Sequence, residues 1–332
     1  MSFLRSFITN LYICVFVNNK ECSIYGQFVK NEKNLNAIEA DFEIIGEHID
    51  FKFNDYVKKY AKNAHSAYIA LLLNTKKQWA LPVSDRIGYN KFGVNYAEVN
   101  VLAMPGGWSI FIPKEEIKEQ THFLNGLAID LLYSPYALLY DKIREFRADE
   151  RITLYVYTQT DSCAMMVFKG LKMQFAAFYN NDDKDESVEQ GDDSLAPINI
   201  ADIDNLIAKE DDKFSALNTL NELSMNDDIE GFEDIVKIEE NDKRENDAQA
   251  SLERLGRSGQ MLANVTDAIG DYYKNPLYEA DFVEKIVVFD SAGFIDDQNF
   301  VDIVANELYV EATVFSVDKH KDILDIITRE LN

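Results

Sequence analysis

Residues 154–178 read LYVYTQTDSCAMMVFKGLKMQFAAF, and they predict three consecutive β-strands. Apolar residues dominate the segments 152–157, 163–168 and 173–178, whereas polar residues separate them. Lys169 and Gly170 are typical of a tight turn, because glycine adopts positive φ at little steric cost. The stretch therefore predicts an antiparallel three-stranded meander.

The opening of the chain repeats this pattern, although not its sequence. Strands are predicted at 12–17, 22–29 and 37–45, and the last of them alternates apolar with acidic residues. A helix is predicted near 53–61, and the continuous apolar run at 67–73 is typical of a strand that is covered on both faces. Both halves of the chain thus begin with a meander.

Helices and strands alternate along the rest of the chain. Two strands are predicted within 99–112, separated by a turn at Pro105, Gly106 and Gly107, and two more at 285–289 and 309–317. Helices are predicted to begin at Pro113 and to span 135–146, 247–273 and 297–308, and Asp318 is expected to cap a last helix. Pro113 is expected at the first helical position. The final strands and helices predict parallel pairing through crossover connections.

Composition indicates two lobes and limits the partners. With 332 residues and 47% hydrophobic content, the chain can fill more than one core. We expect a first lobe at 1–148, a second lobe at 149–180 and 241–332, and an insertion at 181–240. The formal charge of −25 argues against nucleic acid and bare anionic lipid as direct partners.

The insertion carries much of this charge, with 20 acidic residues against four lysines. It is expected to be solvated, with two or three surface helices and some disorder. The closely spaced acids Asp182, Asp183 and Asp185 suggest a calcium-binding loop as an alternative. However, Val188 and Ser194 occupy positions where an EF-hand needs glycine and glutamate. The acidity either steers a basic partner or only keeps the protein soluble.

Other residue types give weaker signals. The apolar run at 11–17 is too short to span a bilayer and is expected to be a strand. Cys14, Cys22 and Cys163 lie in strand-like runs, which predicts buried thiols in a reducing compartment. The four histidines lack metal-ligand spacing and are expected at the surface or at helix ends: His48, His65, His122 and His320. Acids at strand ends, Asp130, Asp161 and Asp290, would support catalysis if the protein were an enzyme.

Three stretches carry a resemblance to the superfamily of actin, sugar kinases and Hsp70. They are the meander quoted above, NGLAIDLLYSPYALLYDKIRE at 125–145, and FVEKIVVFDSAGFIDDQNFVDIVANELYVEATVF at 282–315. Together they look most like the PilM-type cytoplasmic proteins of type IV pilus machines and the actin-like cytoplasmic domain of their type II secretion counterpart, GspL. The resemblance implies a two-lobed actin-like α/β fold.

The nucleotide-binding motifs of that superfamily are missing. The first hairpin, VFVNNKECSIYG, has Asn18 and Asn19 where an Asp-x-Gly would approach phosphate. The second hairpin has Tyr157, Thr158 and Gln159 in the matching place, with Asp161 displaced. A glycine pair that would face adenosine is replaced by Asp290 and Ser291, followed by Gly293. The resemblance therefore implies lost ATP binding, and we predict no catalytic, cofactor or metal residues.

The expected function is a non-catalytic cytoplasmic scaffold, peripheral to the inner membrane. It would dock the cytoplasmic tail of a bitopic, PilN-like membrane protein and self-associate into a dimer or ring, without entering the membrane. The machine could be a type IV pilus, a DNA-uptake or secretion system, or a flagellar motor. Two alternatives remain: a nucleotide-binding actin-like ATPase, and a protein-binding adaptor of another α/β fold that uses the acidic segment as its docking surface. A single continuous sheet would favour the adaptor.

Overall fold

The computed structural model describes residues 8–18, 21–31, 33–46, 48–146, 150–180, 254, 256–293, 295 and 297–331. The strands are β1 (Asn10–Val17), β2 (Glu21–Lys30), β3 (Lys33–Ile45), β4 (His48–Ile49), β5 (Ser66–Leu72), β6 (Trp79–Leu81), β7 (Val99–Met104), β8 (Trp108–Pro113), β9 (Leu131–Tyr133), β10 (Ile152–Thr158), β11 (Ser162–Lys169), β12 (Lys172–Asn180), β13 (Lys285–Asp290) and β14 (Glu311–Ser316). The helices are α1 (Lys52–Ala61), α2 (Arg86–Lys91), α3 (Lys114–Phe123), α4 (Pro135–Glu145), α5 (256–274), α6 (Asp297–Glu307) and α7 (Lys319–Leu331).

The first sheet has the strand order β4-β3-β2-β1-β5-β9. Strands β1, β2 and β3 form the predicted antiparallel meander, and β5 and β9 run parallel to β1 and to each other. The central strands are almost fully buried because their runs of Ile, Val and Leu are covered on both faces. This sheet, with α1 on one face, forms the first lobe.

The second sheet repeats the plan with the order β12-β11-β10-β13-β14. Its meander is antiparallel, and β13 and β14 run parallel to β10. Apart from β4 at one edge of the first sheet, the two sheets therefore share one strand order, which is the duplicated arrangement of an actin-like fold. The predicted two-lobed actin-like fold is confirmed, and the alternative of a single continuous sheet is wrong.

A third, smaller sheet with the order β6-β8-β7 lies in the sequence between β5 and β9. Its strands β7 and β8 were expected from the pattern at 99–112. The sequence pattern did not indicate β4, β6, β9 or α2. Each of the three strands has two or three residues, which is fewer than two repeats of the strand period.

One apolar core joins the two lobes. Helices α4 and α7 pack between the sheets, and their Leu139 and Ile327 share a buried cluster with Tyr12 of β1 and Tyr155 of β10. The outer face of the first sheet is covered by α1, and that of the second by α5 and α6. Each fully buried aliphatic or aromatic side chain contributes about 1.5–3 kcal/mol by leaving water, so the lobes are held by a shared hydrophobic interior.

Helix starts agree with the sequence in two of three cases. Ser134 caps α4 and accepts the Tyr136 amide, with Pro135 at the first helical position. Asp318 accepts the amides of His320 and Lys321, which confirms it as the cap of α7. The expectation for Pro113 is wrong, because its ψ of 140° makes it the last residue of β8 and the helix begins at Lys114.

Some expectations lie outside the described residues. They are the insertion at 181–240 with its helices, the acids Asp182, Asp183 and Asp185, and the first part of the helix expected at 247–273. Within the part of the chain that the structure describes, no helix combines the length and the apolar character that crossing a bilayer requires.

Candidate functional site

The lobes meet where the β1–β2 turn of the first faces the β10–β11 turn of the second. Asn74, just after β5, joins them. Its Nδ2 donates to the Val17 carbonyl at 3.1 Å and to Asp161 Oδ1 at 2.7 Å, and its Oδ1 accepts from Ser162 Oγ at 2.6 Å. Both turns belong to the hairpins that lack the Asp-x-Gly pattern.

Backbone amides at both turns are bonded inside the turns. In the first, the Asn18 amide donates to the Glu21 carbonyl at 3.0 Å, and the Glu21 amide donates to Asn18 Oδ1 at 2.7 Å. In the second, the Gln159 amide donates to the Ser162 carbonyl at 2.8 Å. These three amides are therefore already bonded within the protein and are not free to approach a phosphate.

The loop after β13 is built around the carboxylate of Asp290, which is 3% exposed. Its Oδ1 accepts the amides of Ala292 and Gly293, both at 3.1 Å, and its Oδ2 accepts the amide of Ile295 at 3.0 Å. Thr158 Oγ1 on β10 donates to the same carboxylate at 2.7 Å. A cluster of backbone amides of this kind binds anions, and here the bound anion is the protein's own side chain.

This arrangement changes the interpretation of Asp290. In the sequence, Asp290 stands where the resemblance expects a glycine that would face adenosine. The structure shows the carboxylate turned into its own loop, while Ser291 bonds through its amide and hydroxyl to Thr158. The loop is thereby attached to β10, and its amides serve the fold.

Little space remains between the hairpins. The cavity lined by the two turns, Asn74 and Lys319 has a volume of about 20 Å³. That is room for about one water molecule. A nucleoside triphosphate would enter only if the lobes separated and the Asn74 bonds broke.

The start of α7 closes one side of this cavity. Lys319 Nζ lies 5.0 Å from the centre of the Phe16 ring, and the His320 ring stacks on Tyr25 with centroids 4.5 Å apart. Burial lowers the pKa of Lys319, although Glu21 and other acids nearby oppose that effect. Burial also lowers the pKa of His320. The second lobe's last helix thus packs directly on the first lobe's hairpin.

Polar bonds continue along α7. Asp322, which is almost fully buried, pairs with Lys142 of α4 at 2.5 Å and accepts the Tyr157 hydroxyl at 3.3 Å. Burial raises the pKa of Asp322, and the bonds with Lys142 offset part of that rise. Arg329 pairs with Asp141 at 2.5 Å, and Tyr133 donates to Glu330 at 2.8 Å. These contacts fix α7 against both sheets.

A separate groove of about 830 Å³ lies on the first lobe. Its apolar lining comes from Phe28, Leu35, Ala37, Ile38 and Tyr60. Thr9, Asn36 and Asn63 supply polar groups at its walls. The groove is formed by the β2–β3 hairpin and the end of α1, on strands of the same sheet that supplies the cleft.

A family model described as "Domain of unknown function (DUF8341)" matches residues 154–332, which is more than half of the chain. The chain belongs to the DUF8341 family. A second model, "Domain of unknown function (DUF8569)", matches residues 7–140. The DUF8341 match covers the second sheet with the Asp290 loop, and the DUF8569 match covers the first sheet with the groove. A sequence comparison with curated proteins finds no match.

Three solved structures are similar to this DUF8341 protein. A protein from Bacteroides thetaiotaomicron with an actin-like ATPase fold and unknown function has TM-score 0.43 and 8% identity, covering 98% of both chains. A chain of the PilM–PilN type IV pilus biogenesis complex has TM-score 0.44 and 11% identity, covering 96% of this chain and 93% of the other. The ethanolamine utilization protein EutJ from Carboxydothermus hydrogenoformans has TM-score 0.39 and 10% identity, covering 92% and 84%. The order of strands in the two sheets is what identifies the actin-like fold of this chain.

The three acids noted at strand ends do not converge on one site. Asp130 bonds through Oδ2 to the Ile69 amide of β5, at 2.8 Å. Asp161 bonds to Asn74, and Asp290 bonds inside its loop. Each of these three carboxylates, which the sequence suggested as possible catalytic groups, therefore has a hydrogen bond within the fold.

Cysteines and histidines differ in how well the sequence described them. All three cysteines are buried free thiols, as predicted, and burial raises the pKa of both Cys22 and Cys163 to about 12. His48 and His122 come together with ring centroids 5.3 Å apart, which their separation in sequence did not suggest. In the described ranges, no group of three or more metal-ligating side chains accompanies them.

Two residues of the cleft have no sequence signal of their own. Asn74 is recognisable only as the first polar residue after the buried run at 67–73, at a strand end where side chains face a cleft. Asp322 is one acid of many in an amphipathic helix. Their importance arises from partners that lie far away in the sequence.

Proposed function

We propose that this DUF8341 protein is a nucleotide-independent cytoplasmic scaffold of an inner-membrane machine. The observation that carries the proposal is the Asp290 loop, in which the protein's own carboxylate accepts three backbone amides. A ligand phosphate in the same loop would have to displace a buried anion that is already fully bonded.

The rest of the cleft supports the same conclusion. The amides of Asn18, Glu21 and Gln159 are used within the two facing turns, Asn74 bonds to both turns, and about 20 Å³ remains between them. Catalysis of phosphoryl transfer needs groups that position phosphate and metal, and neither hairpin supplies the Asp-x-Gly pattern that would do so. We therefore propose no catalytic, cofactor or metal residue.

The proposed partner is a bitopic membrane protein that presents a short cytoplasmic tail, as PilN-like proteins would. The support is the fold, together with a similar solved chain that belongs to a PilM–PilN complex. The scaffold would lie at the inner membrane through this partner and would self-associate as a dimer or ring. Its lobes would comprise 1–148, and 149–180 with 241–332, leaving 181–240 as an insertion.

Capture from membranes tests the role. The tagged protein, purified in mild detergent from the cells that produce it, is expected to bring down one bitopic membrane protein. The yield should be the same with and without apyrase, which removes ATP and ADP. Recovery of the complex only when nucleotide is present would favour the alternative, an actin-like ATPase of the same machinery.

A further inference from the structure

We propose that the edge strand β14 of the second sheet binds the same strand of a second copy of this chain, so that the two chains form one continuous antiparallel sheet about a two-fold axis. This inference rests on the self-association that the proposed scaffold role includes, and it names the surface and the kind of contact. The surface lies on the second lobe, at the edge of its sheet that is farthest from β12.

The outer edge of β14 is open. Strand β14 pairs with β13 over Glu311–Ser316, and among the described residues no strand pairs with its other side. Both end residues of the strand are exposed, and its central residues, 312–315, are half-buried. The strand therefore presents a row of unpaired backbone N–H and C=O groups, which is a template for pairing with another chain.

This edge lacks the features that usually protect a strand from pairing with another chain. Such protection comes from charged side chains, proline, bulges, short strands or a covering element. The central residues 312–315 of β14 carry no charge, the strand contains no proline, and its register with β13 is regular. Other edges in the described part of the chain are protected: β4 and β9 have two and three residues, β12 lies beside β6, and β3 carries exposed acids at Glu39, Asp41 and Glu43.

Charges around β14 permit a second copy to approach, although each chain carries a formal charge of −25. Glu311, the charged residue of the strand, pairs with Arg151 at 2.7 Å and with Lys285 at 3.4 Å. In an antiparallel pair centred on Thr313 or Val314, the two copies of Glu311 lie at opposite ends of the interface. Like charges of the strand therefore do not face each other across the interface.

The strongly acidic segment 181–240 begins at the other edge of the sheet. It follows Asn180, the last residue of β12, and the strand order separates β12 from β14 by four strand spacings. With neighbouring strands about 4.8 Å apart, that separation is about 19 Å, roughly twice the Debye length at physiological ionic strength. The point at which the acidic segment leaves the sheet therefore lies well beyond the screening distance from the β14 edge.

Two exposed aromatic residues lie at the two ends of β14. Tyr309, just before the strand, is 87% exposed and has a φ of 56°, which is rare for a bulky residue. Phe146 is 47% exposed and packs on Phe315 near the other end, with ring centroids 4.3 Å apart. Antiparallel pairing places the start of one strand beside the end of the other, so it brings Tyr309 of each copy toward Phe146 of the other. The contact would remove apolar surface from water at both ends of the interface.

A second copy suits this edge better than other occupants do. A bilayer surface has no backbone groups with which a strand could pair. A peptide from a different protein could pair with β14, but its own outer edge would then be open. The edge is complementary to itself, because it has an uncharged centre and an exposed aromatic residue at each end, and two-fold pairing closes the edges of both chains in one contact.

Sedimentation velocity of the full-length protein, at concentrations from about 0.1 to 100 µM, tests the proposal. We expect a reversible equilibrium between monomer and dimer in the wild type. The variant Thr313→Lys places a charge at the centre of each edge and should raise the dissociation constant of the dimer by about tenfold or more. The control Leu102→Lys places the same charge at an exposed position of β7, an uncharged edge strand of the small sheet, and should stay within about twofold of wild type.

Hydrogen exchange of the wild-type protein locates the interface without any substitution. Amides within 311–316 should exchange more slowly at the high end of the concentration range than at the low end, whereas the amides of β7 should exchange equally at both. The variant Tyr309→Gly removes the exposed ring and suits the positive φ of this position. It should weaken the dimer about threefold or more and leave the thermal midpoint of unfolding within about 4 °C of wild type.

Several outcomes would overturn the proposal. They are a wild type that stays monomeric throughout the concentration range, a dimer that Thr313→Lys leaves unchanged, equal losses in Thr313→Lys and Leu102→Lys, or protection that depends on concentration in β7 and not in β14. Any of these with membrane capture intact would remove the β14 interface and leave the scaffold role standing. Loss of membrane capture would remove the scaffold role instead.

Discussion

At the residue scale, Asp290 combines burial, charge and several hydrogen bonds in one side chain. Its carboxylate bonds the amides of its own loop and the hydroxyl of Thr158. A buried charge is tolerated only when such donors surround it. The same bonds hold the β13 end against β10 and keep the loop from being a free anion site.

Replacing Asp290 with Asn should destabilise the protein by about 1–3 kcal/mol. The amide keeps the shape, but its NH₂ group would face backbone donors that now meet an oxygen. Urea unfolding measures the loss. Asp55→Asn, at an exposed position in the first turn of α1, is the control and should cost less than about 0.5 kcal/mol. Equal effects of the two changes would contradict the role given to the loop.

His320 makes stability depend on pH. Burial lowers its pKa from the ordinary value of 6.5, with Lys319 adding to the effect and Asp318, Glu39 and Asp41 opposing it. As pH falls through 6.5, the unfolded chain therefore takes up a proton before the folded protein does. Stability is lost with falling pH until the lower folded pKa is passed.

The variant His320→Phe keeps a ring on Tyr25 and removes the proton site. Its unfolding free energy should fall less than that of wild type between about pH 7.5 and 5.5. The exposed His65, changed to Gln, should retain the wild-type dependence. A steeper fall in His320→Phe would mean that the sign of the shift is wrong.

At the scale of elements, the α4–α7 pair joins the two sheets. Lys142 and Asp322 form an ion pair with side chains that are 13% and 4% exposed. Removing Lys142 leaves the buried Asp322 carboxylate without its countercharge, with the Tyr157 hydroxyl still donating to it, and this loss costs more than the pair itself contributes.

Lys142→Met should therefore destabilise the protein by roughly 3–5 kcal/mol. Adding Asp322→Leu should restore part of the loss, because no unpaired charge then remains. The exposed pair of Arg151 and Glu311 provides the control, and Arg151→Met should cost no more than about 1 kcal/mol. A double variant less stable than Lys142→Met alone would contradict the pairing argument.

The helices and strands also differ in how well the sequence predicted them. The two meanders, the long α5 and the closing strands and helices follow from apolar periodicity over at least five residues. Strands β6 and β9 have three residues each, and tertiary pairing rather than pattern creates them. The three nucleotide-motif positions were predicted from the sequence, but the bonds of Asn74 depend on residues about 60 to 90 positions away.

At the scale of the whole molecule, much of the negative charge lies in a segment that supplies none of the described strands. Residues 181–240 hold 20 acids and four lysines, and both sheets lie outside this segment. Among the described residues, the core that the two sheets share includes α4 and α7.

Replacing residues 181–240 with a Gly/Ser linker of about ten residues should therefore leave the lobes folded. The thermal midpoint is expected within about 4 °C of wild type, as circular dichroism would measure. An aggregated or unfolded product would contradict the proposed boundaries of the insertion.

The central claim, that the cleft no longer binds nucleotide, is tested most directly by calorimetry with Mg-ATP. Because the Asp290 carboxylate occupies its own loop and Asn74 bonds to both turns, titration of the full-length protein to millimolar Mg-ATP should give no binding heat. Binding with micromolar affinity, abolished by a change that fills the cleft between Asn74 and Lys319, would contradict it.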